Sequence, residues 1–461
     1  MKHNNHISKI IITGIILLVS SLSNAQTASS SYFLDGSFTR YQLNPALTPE
    51  RGYLAFPVLS NFQFEAYSSV GLSNFLYESK SDPNKLTTFM SSEVNKDDFL
   101  NALPSVSKIK FGMDMDLFSL GFYGFQGMNT LNVKFRNSIN INLPKELFSF
   151  MKASLSDGDY LIEDININSY TYLEMALGHS HKINSNLTIG ARLKLLVGGY
   201  YMDANVDQIS AKISGDSWRV NANAIVKVAA PGLKPIYKTG TEKEIEDFDY
   251  DFDGFDSYGF AMDLGAVYDI SELVEGLQLS ASLTDLGLIS WNMMTAATNN
   301  TEDVVFNGFS NYDVTGDEED PTMDNLEEDF KNLVKIYDQG SKKEKVKLDA
   351  TFRLGAEYSM FFADWISVGE LFTVRSGINK FSEARTSLVL APSKWFDMTG
   401  NVAFSSYGTA YGFMINLHPV GFNLFFASDC LKAKVNPQFI PTEEFWTNVT
   451  FGIIMPIGRR R

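Results

Sequence analysis

From Leu54 the even positions Leu54, Phe56, Val58, Phe62, Phe64 and Ala66 are apolar, with Asn61, Gln63 and Glu65 between the last of them. Further on, Leu187, Ile189, Ala191, Leu193, Leu195 and Val197 alternate with Thr188, Gly190, Arg192 and Lys194. The same period of two sets Leu131, Val133 and Phe135 against Lys134 and Arg136, and Phe352, Leu354, Ala356 and Tyr358 against Arg353 and Glu357. It recurs in Leu277/Leu279/Ala281/Leu283, in Tyr411/Phe413/Ile415/Leu417 and in Val449/Phe451/Ile453/Met455. Such alternation predicts strands with one oily face and one polar face. A secreted β-sandwich or solenoid reads this way, with its oily face in a dry core, and so does a membrane barrel with its oily face in lipid. Length separates the two. Soluble strands average roughly 5–6 residues and membrane strands need about 9–11, and most of these runs reach the longer range. The expected fold is therefore all-β, a transmembrane antiparallel β-barrel of about fourteen strands (twelve to eighteen), because such barrels favour even numbers. Tyr200, Tyr201, Trp291, Trp365, Trp395 and Trp446 fall near expected strand ends, where an aromatic girdle would sit at headgroup level.

Three segments leave the period of two for helical spacing. They are Leu86/Phe89/Met90/Val94/Phe99/Leu103, between Pro83 and Pro104; Leu147/Phe148/Met151/Leu155, after Pro144; and Leu326/Phe330/Leu333/Val334/Tyr337. They predict short amphipathic helices in loops, which either enter the lumen or lie on its rim.

The N-terminus changes the picture from architecture to address. Lys2 and Lys9 precede the apolar run Ile10–Leu22 and the small-residue site Ser23-Asn24-Ala25, the layout of a secretory signal peptide with cleavage after Ala25. The run is shorter than the roughly 20 residues that span a bilayer as a helix. Residues 1–25 carry two lysines and no acid, so their loss leaves 36 basic against 54 acidic residues, a formal charge of −18. That balance excludes nucleic acid as a partner. Cys430 stands alone, so no intrachain disulfide is available. The expected location is a bacterial outer membrane, with its lipid as the first partner.

Under this reading the second face of each strand points into the lumen. Asp114, Asp116, Lys134, Arg136, Arg192, Lys194, Arg353 and Glu357 are the expected lumen-facing charges. They form either a mutually neutralised ladder that fills the barrel or a selectivity surface along an aqueous path. Other chemistry is sparse. Asp249-Tyr250-Asp251-Phe252-Asp253-Gly254 copies half a calcium loop, but Phe260 stands where the bidentate Glu belongs. Gly215-Asp216-Ser217 is followed by Trp218, and no Asp precedes His418 at an esterase spacing. His179 and His181 share one strand face and mark its end rather than a metal site. No phosphate loop, zinc spacing or cofactor motif is found, and an enzyme is not expected.

Ahead of the first strand the chain reads Tyr32-Phe33-Leu34-Asp35-Gly36, then Arg40 to Leu47 with Asn44-Pro45-Ala46 at its centre, then Pro49-Glu50-Arg51-Gly52-Tyr53. Asn bonding its own backbone and an extended residue before proline make the centre a turn. This opening resembles that of a family of Bacteroidetes outer-membrane proteins classed only as a domain of unknown function. Asn44-Pro45-Ala46 is similar to the Asn-Pro-Ala element of the long-chain fatty-acid channel superfamily, whose members are fourteen-stranded barrels closed by an N-terminal hatch. The resemblance implies a hatch or plug over 26–52, with Asn44, Pro45 and Ala46 shaping it, and a barrel over 53–461 with helical loop insertions. It also implies a hydrophobic small molecule as ligand. Two functions stay open: a passive channel for hydrophobic or small solutes, and a non-transporting scaffold or surface-interaction barrel associated with secretion machinery. A continuous cavity would favour the first, a lumen filled by protein the second.

Overall fold

The computed structural model describes residues 28–55, 60–81, 85–153, 158–214, 217–241, 243–298, 304–306, 335–432 and 442–458. The expected signal peptide and residues 326–334 of the third helical segment lie outside them.

Alternation does fold into a closed antiparallel barrel, with fourteen strands. They are β1 (Gly52–Ala55 and Phe62–Ser68), β2 (Val106–Gly124), β3 (Gly127–Pro144), β4 (Gly158–Lys182), β5 (Leu187–Ser214), β6 (Ser217–Ala229 and Ser257–Asp269) and β7 (Leu277–Thr298, extended by Val304–Phe306). There follow β8 (Ile336–Lys347 and Thr351–Ser359), β9 (Ile366–Arg375), β10 (Phe381–Ser393), β11 (Phe396–Ser405), β12 (Gly408–Leu417), β13 (Asn423–Ser428 and Leu431–Lys432) and β14 (Phe445–Ile457). Each pairs with its sequence neighbour. The ring closes where β14 takes both β13 and β1, with Phe451 opposite Phe426 on one side and Phe62 on the other. Closure leaves no open edge, the condition for a sheet in hydrocarbon.

Outward positions form an oily wall. Leu177, Leu193, Phe260, Leu354, Phe404 and Tyr411 are among its exposed side chains, while Arg192, Lys194, Arg353 and Asn401 between them are buried. The end at which β1 starts and β14 finishes is termed lower. There the two-residue turn of β2–β3 places both Phe125 and Gln126 at positive φ (53° and 63°), the geometry that matches strand twist in tight hairpins.

At the upper end, helices α1 (Lys96–Asn101) and α2 (Lys145–Ala153) pack with a small hairpin, Leu76–Glu78 against Leu86–Thr88. Asn95 caps α1 by accepting from the backbone N–H groups of Asp97 and Asp98. Phe75, Phe89, Phe99 and Phe148 join these pieces in one apolar cluster on the rim. The first helical stripe is therefore helical only over 96–101, since Leu86 starts a strand. Tyr337, at the end of the third, belongs to β8.

Trp291, Tyr201 and Trp446 depart from the expected girdle: all three are buried and face inward. For Trp291 the cause is local. Asp285 takes φ 60° and adds a residue to β7, where the register with β6 shifts between Met262 and Leu264. The odd positions Leu279 to Leu283 face out, and beyond the bulge Ile289 and Trp291 face in.

Candidate functional site

A fourteen-stranded ring is wider than the eight-stranded barrels that side chains alone can fill. Residues 28–51 occupy the difference. This segment folds as short turns inside the barrel, and Tyr32, Phe33, Leu34, Phe38, Tyr41, Leu43, Ala46 and Leu47 are all buried. They form one apolar core with inward side chains of the wall, among them Leu371, Val389, Met414, Phe425 and Ile454.

Polar contacts fix its position. The backbone N–H groups of Ser29 and Ser30 donate to the Asp429 carboxylate at 2.6 and 2.8 Å. Gly36 N–H donates to Asp397 Oδ2 at 3.2 Å, where His418 Nε2 also lies at 3.2 Å. Gln42 Nε2 donates to Asp116 at 2.8 Å, and Lys134 Nζ donates to Gln42 Oε1 at 2.5 Å. Asn44 Oδ1 accepts from Ala46 N–H at 3.0 Å, closing the turn, and its Nδ2 donates to the carbonyls of Ala281 and Ala266 at 3.3 and 3.4 Å.

Asn44 and Pro45 sit in a pit in the wall. Gly190 of β5 and Gly265 of β6 are register partners. A Cβ on Gly190 would lie 2.3 Å from the Pro45 carbonyl carbon, and one on Gly265 would lie 2.0 Å from Asn44 Oδ1. Two opposed glycines thus make the recess that the turn fills. Gly265→Val is expected to push Asn44–Ala46 off the wall at a cost of about 1–3 kcal/mol, the range for overpacking. A cysteine introduced by Leu47→Cys should then react faster with a maleimide than it does beside Gly265.

Above the segment, six strands contribute one ion network. Lys134 and Arg136 of β3 meet Asp114 of β2 at 3.9 and 3.6 Å, and Lys134 meets Asp116 at 3.7 Å. Arg136 also reaches Glu174 of β4 and Asp285 of β7, both at 3.2 Å. Arg192 and Lys194 of β5 bind Asp263 of β6 at 2.9 and 2.8 Å, and Lys194 binds Asp285 at 2.5 Å. Glu174 lies 3.5 Å from Arg192 and 3.6 Å from Lys194. Four cations thus face five carboxylates. Arg192 also lies over the Tyr41 ring at 5.3 Å, tying the network to the segment. The two remaining expected charges stand apart. Arg353 of β8 donates to Thr284 Oγ1 at 3.0 Å, and Glu357 accepts from Ser367 Oγ at 2.6 Å near the lower mouth.

Two cavities adjoin the segment. The upper one, about 100 Å³, has Gln42 and Leu43 in its floor and Arg136, Tyr170, Trp291 and Arg353 in its walls. The lower one, about 390 Å³, is roofed by Phe33, Leu34, Asp35 and Gly36 and lined by Glu357, Trp365, Asp397 and His418. No residue of α1 or α2 lines either.

The profile of a family described as a family of unknown function, DUF5723, matches residues 45–429. The chain belongs to that family. No curated protein matches the sequence. Among solved structures it is similar to the toluene transporter TbuX of Ralstonia pickettii, at 8% identity over 94% of this chain and 99% of that one, with a TM-score of 0.45. It is also similar to a FadL homologue of Pseudomonas aeruginosa (9% identity, 94% and 98% covered, TM-score 0.43) and to the toluene transporter TodX of P. putida (9%, 89% and 91%, TM-score 0.39).

Sequence reasoning overlooked several side chains of this member of DUF5723. Glu174 and Asp263 each stand between two outward apolar residues, Leu173/Met175 and Met262/Leu264, so the period of two was signal enough for both. A second buried group, missed altogether, joins Arg385 to Glu383 at 2.8 Å and to Asp429 at 3.8 Å. It holds the carboxylate that receives Ser29 and Ser30. Ser217 and His418, weighed as an esterase pair, fall at opposite ends of the barrel.

Proposed function

We propose that this chain is an outer-membrane barrel acting as a gated passage for small solutes, with residues 28–51 as the gate and Asn44, Pro45 and Ala46 as its seat on the wall. The observation carrying this reading is that one segment is at once the floor of the upper cavity and the roof of the lower. Displacing it joins the two. The paired charges of β2–β7 act as a neutralised wall beside the path, and Arg353 and Glu357, outside that network, face the solute above and below the gate.

A second reading has an observation of its own. The segment packs into an apolar core with the wall as a protein interior does, which favours a static, non-transporting scaffold. Asp429→Ala separates them. It removes the carboxylate that anchors Ser29 and Ser30, and charge-assisted bonds of this kind contribute about 1.5–3 kcal/mol each. A gate so weakened should open roughly tenfold more often or better, read as open fraction in planar bilayers. A silent bilayer for both the parent and Asp429→Ala would leave the scaffold as the function.

A further inference from the structure

We propose that the upper cavity is a binding site for a small monoanionic carboxylate, held by Arg353, Arg375 and Lys110. The charged groups lining this cavity divide into two sets. Arg136, Asp114 and Asp285 are ion-paired within the network, and Lys347 lies at the exposed rim. Glu65 accepts from Trp446 Nε1 at 3.0 Å, and both oxygens of Asp349 are taken by N–H groups of the turn at Ile378 and Asn379.

The other three cations have no carboxylate within ion-pair distance among the described residues. Arg353 is only 5% exposed; its Nη1 donates to Thr284 Oγ1, and its Nε has no hydrogen-bond partner. Arg375 donates to Thr351 Oγ1 at 3.3 Å and otherwise lies over the Phe381 ring. Lys110, also 5% exposed, has its ammonium 5.7 Å from the Tyr407 ring centroid. Phe381 and Tyr407 stack on each other, so Arg375 and Lys110 flank one aromatic pair. Arg353 faces Thr373 and Arg375 faces Thr351 across β8–β9, which makes the two guanidinium groups diagonal neighbours on the inner face.

Like charges set side by side in a low-dielectric space are costly unless an anion joins them. Outside the ion network and the exposed Lys347, three cationic side chains (Lys110, Arg353, Arg375) and two carboxylates (Glu65, Asp349) line the cavity, leaving one positive charge to balance. That selects a monoanion. Two adjacent forked donors suit the planar, bidentate geometry of a carboxylate, and Tyr170, Tyr172, Tyr201 and Trp291 give the same cavity an aromatic wall for its apolar part. The three cations stand on β2, β8 and β9 and not on the segment, so this assignment goes beyond the gated-passage reading and does not depend on it.

The test is titration calorimetry on the folded full-length barrel in non-ionic detergent at fixed ionic strength, with benzoate as the probe. Benzyl alcohol, chloride and inorganic phosphate serve as comparators. Benzoate should bind one to one, and roughly tenfold or more tighter than benzyl alcohol, the scale of a lost charge-assisted hydrogen bond. Arg353→Gln and Arg375→Gln should each weaken benzoate by a similar factor, and Lys182→Gln at the lower end should leave it unchanged. Should a glutamine variant fail to fold, the comparison of benzoate with benzyl alcohol on the parent protein still decides. Equal affinity for these two, equal displacement by chloride, or full benzoate affinity in a folded Arg353→Gln protein would overturn the assignment.

Discussion

Without residues 28–51 the reconstituted barrel should carry a steady ionic current where the intact chain carries little. The reasoning is geometric. Barrels of eight strands are filled by their own inward side chains and those of sixteen to eighteen leave an aqueous channel, so fourteen lie close to the open regime. In the lower half the wall offers Leu371, Val389, Met414, Phe425 and Ile454, which meet the segment's Tyr32, Phe33, Phe38 and Leu43 and do not fill the lumen without them. In the upper half the ion network is confined to β2–β7, along one side of the ring. A folded truncated protein, recognised by its altered gel mobility on heating, is measured beside the parent in planar bilayers, and a peptide spanning 28–51 added afterwards should lower its current. A folded truncation that passes no current would mean that the lumen is blocked elsewhere, and the segment would then be core rather than gate.

How much of this was legible beforehand follows from which force writes the pattern. An oily outer face and a buried polar one repeat at every second position, so Leu187 to Val197 or Phe352 to Tyr358 shows its strand, and its two faces, without any partner. The breaks come where one residue changes phase. Asp285 turns Trp291 from the outer face to the lumen, and no periodicity that runs through it can show that. Pairing is written least of all. Gly190 and Gly265 look like two ordinary glycines 75 positions apart, and become a recess only because the register sets them opposite each other. Lys110 between Ile109 and Phe111, and Arg375 after Val374, obey the period of two as well as Arg192 does. What marks them is that they lack the carboxylates that Arg192 and Lys194 possess, and that is a property of the assembled ring.

The same pairing yields the largest expected change in stability. The network of β2–β7 holds four cations and five carboxylates, a formal balance of −1. Lys194→Met keeps the volume of a side chain that touches Glu174, Asp263 and Asp285, and it moves the balance to −2. Breaking a buried pair from one side costs about 3–5 kcal/mol, because the partner stays behind as an uncompensated charge. Here three carboxylates are left behind, and Asp285 falls back on Arg136 alone. Glu174→Gln removes an acid, brings the balance to neutral, and leaves each of Arg136, Arg192 and Lys194 with another carboxylate in reach. It should therefore cost less than half as much. Urea midpoints followed by tryptophan fluorescence give both values, and adding Asp285→Asn to Lys194→Met should recover part of the loss, a coupling expected only of groups that share one network. If Glu174→Gln proves the more damaging change, geometry at that carboxylate outweighs the charge balance, and the wall beside the segment is held by shape rather than by neutralisation.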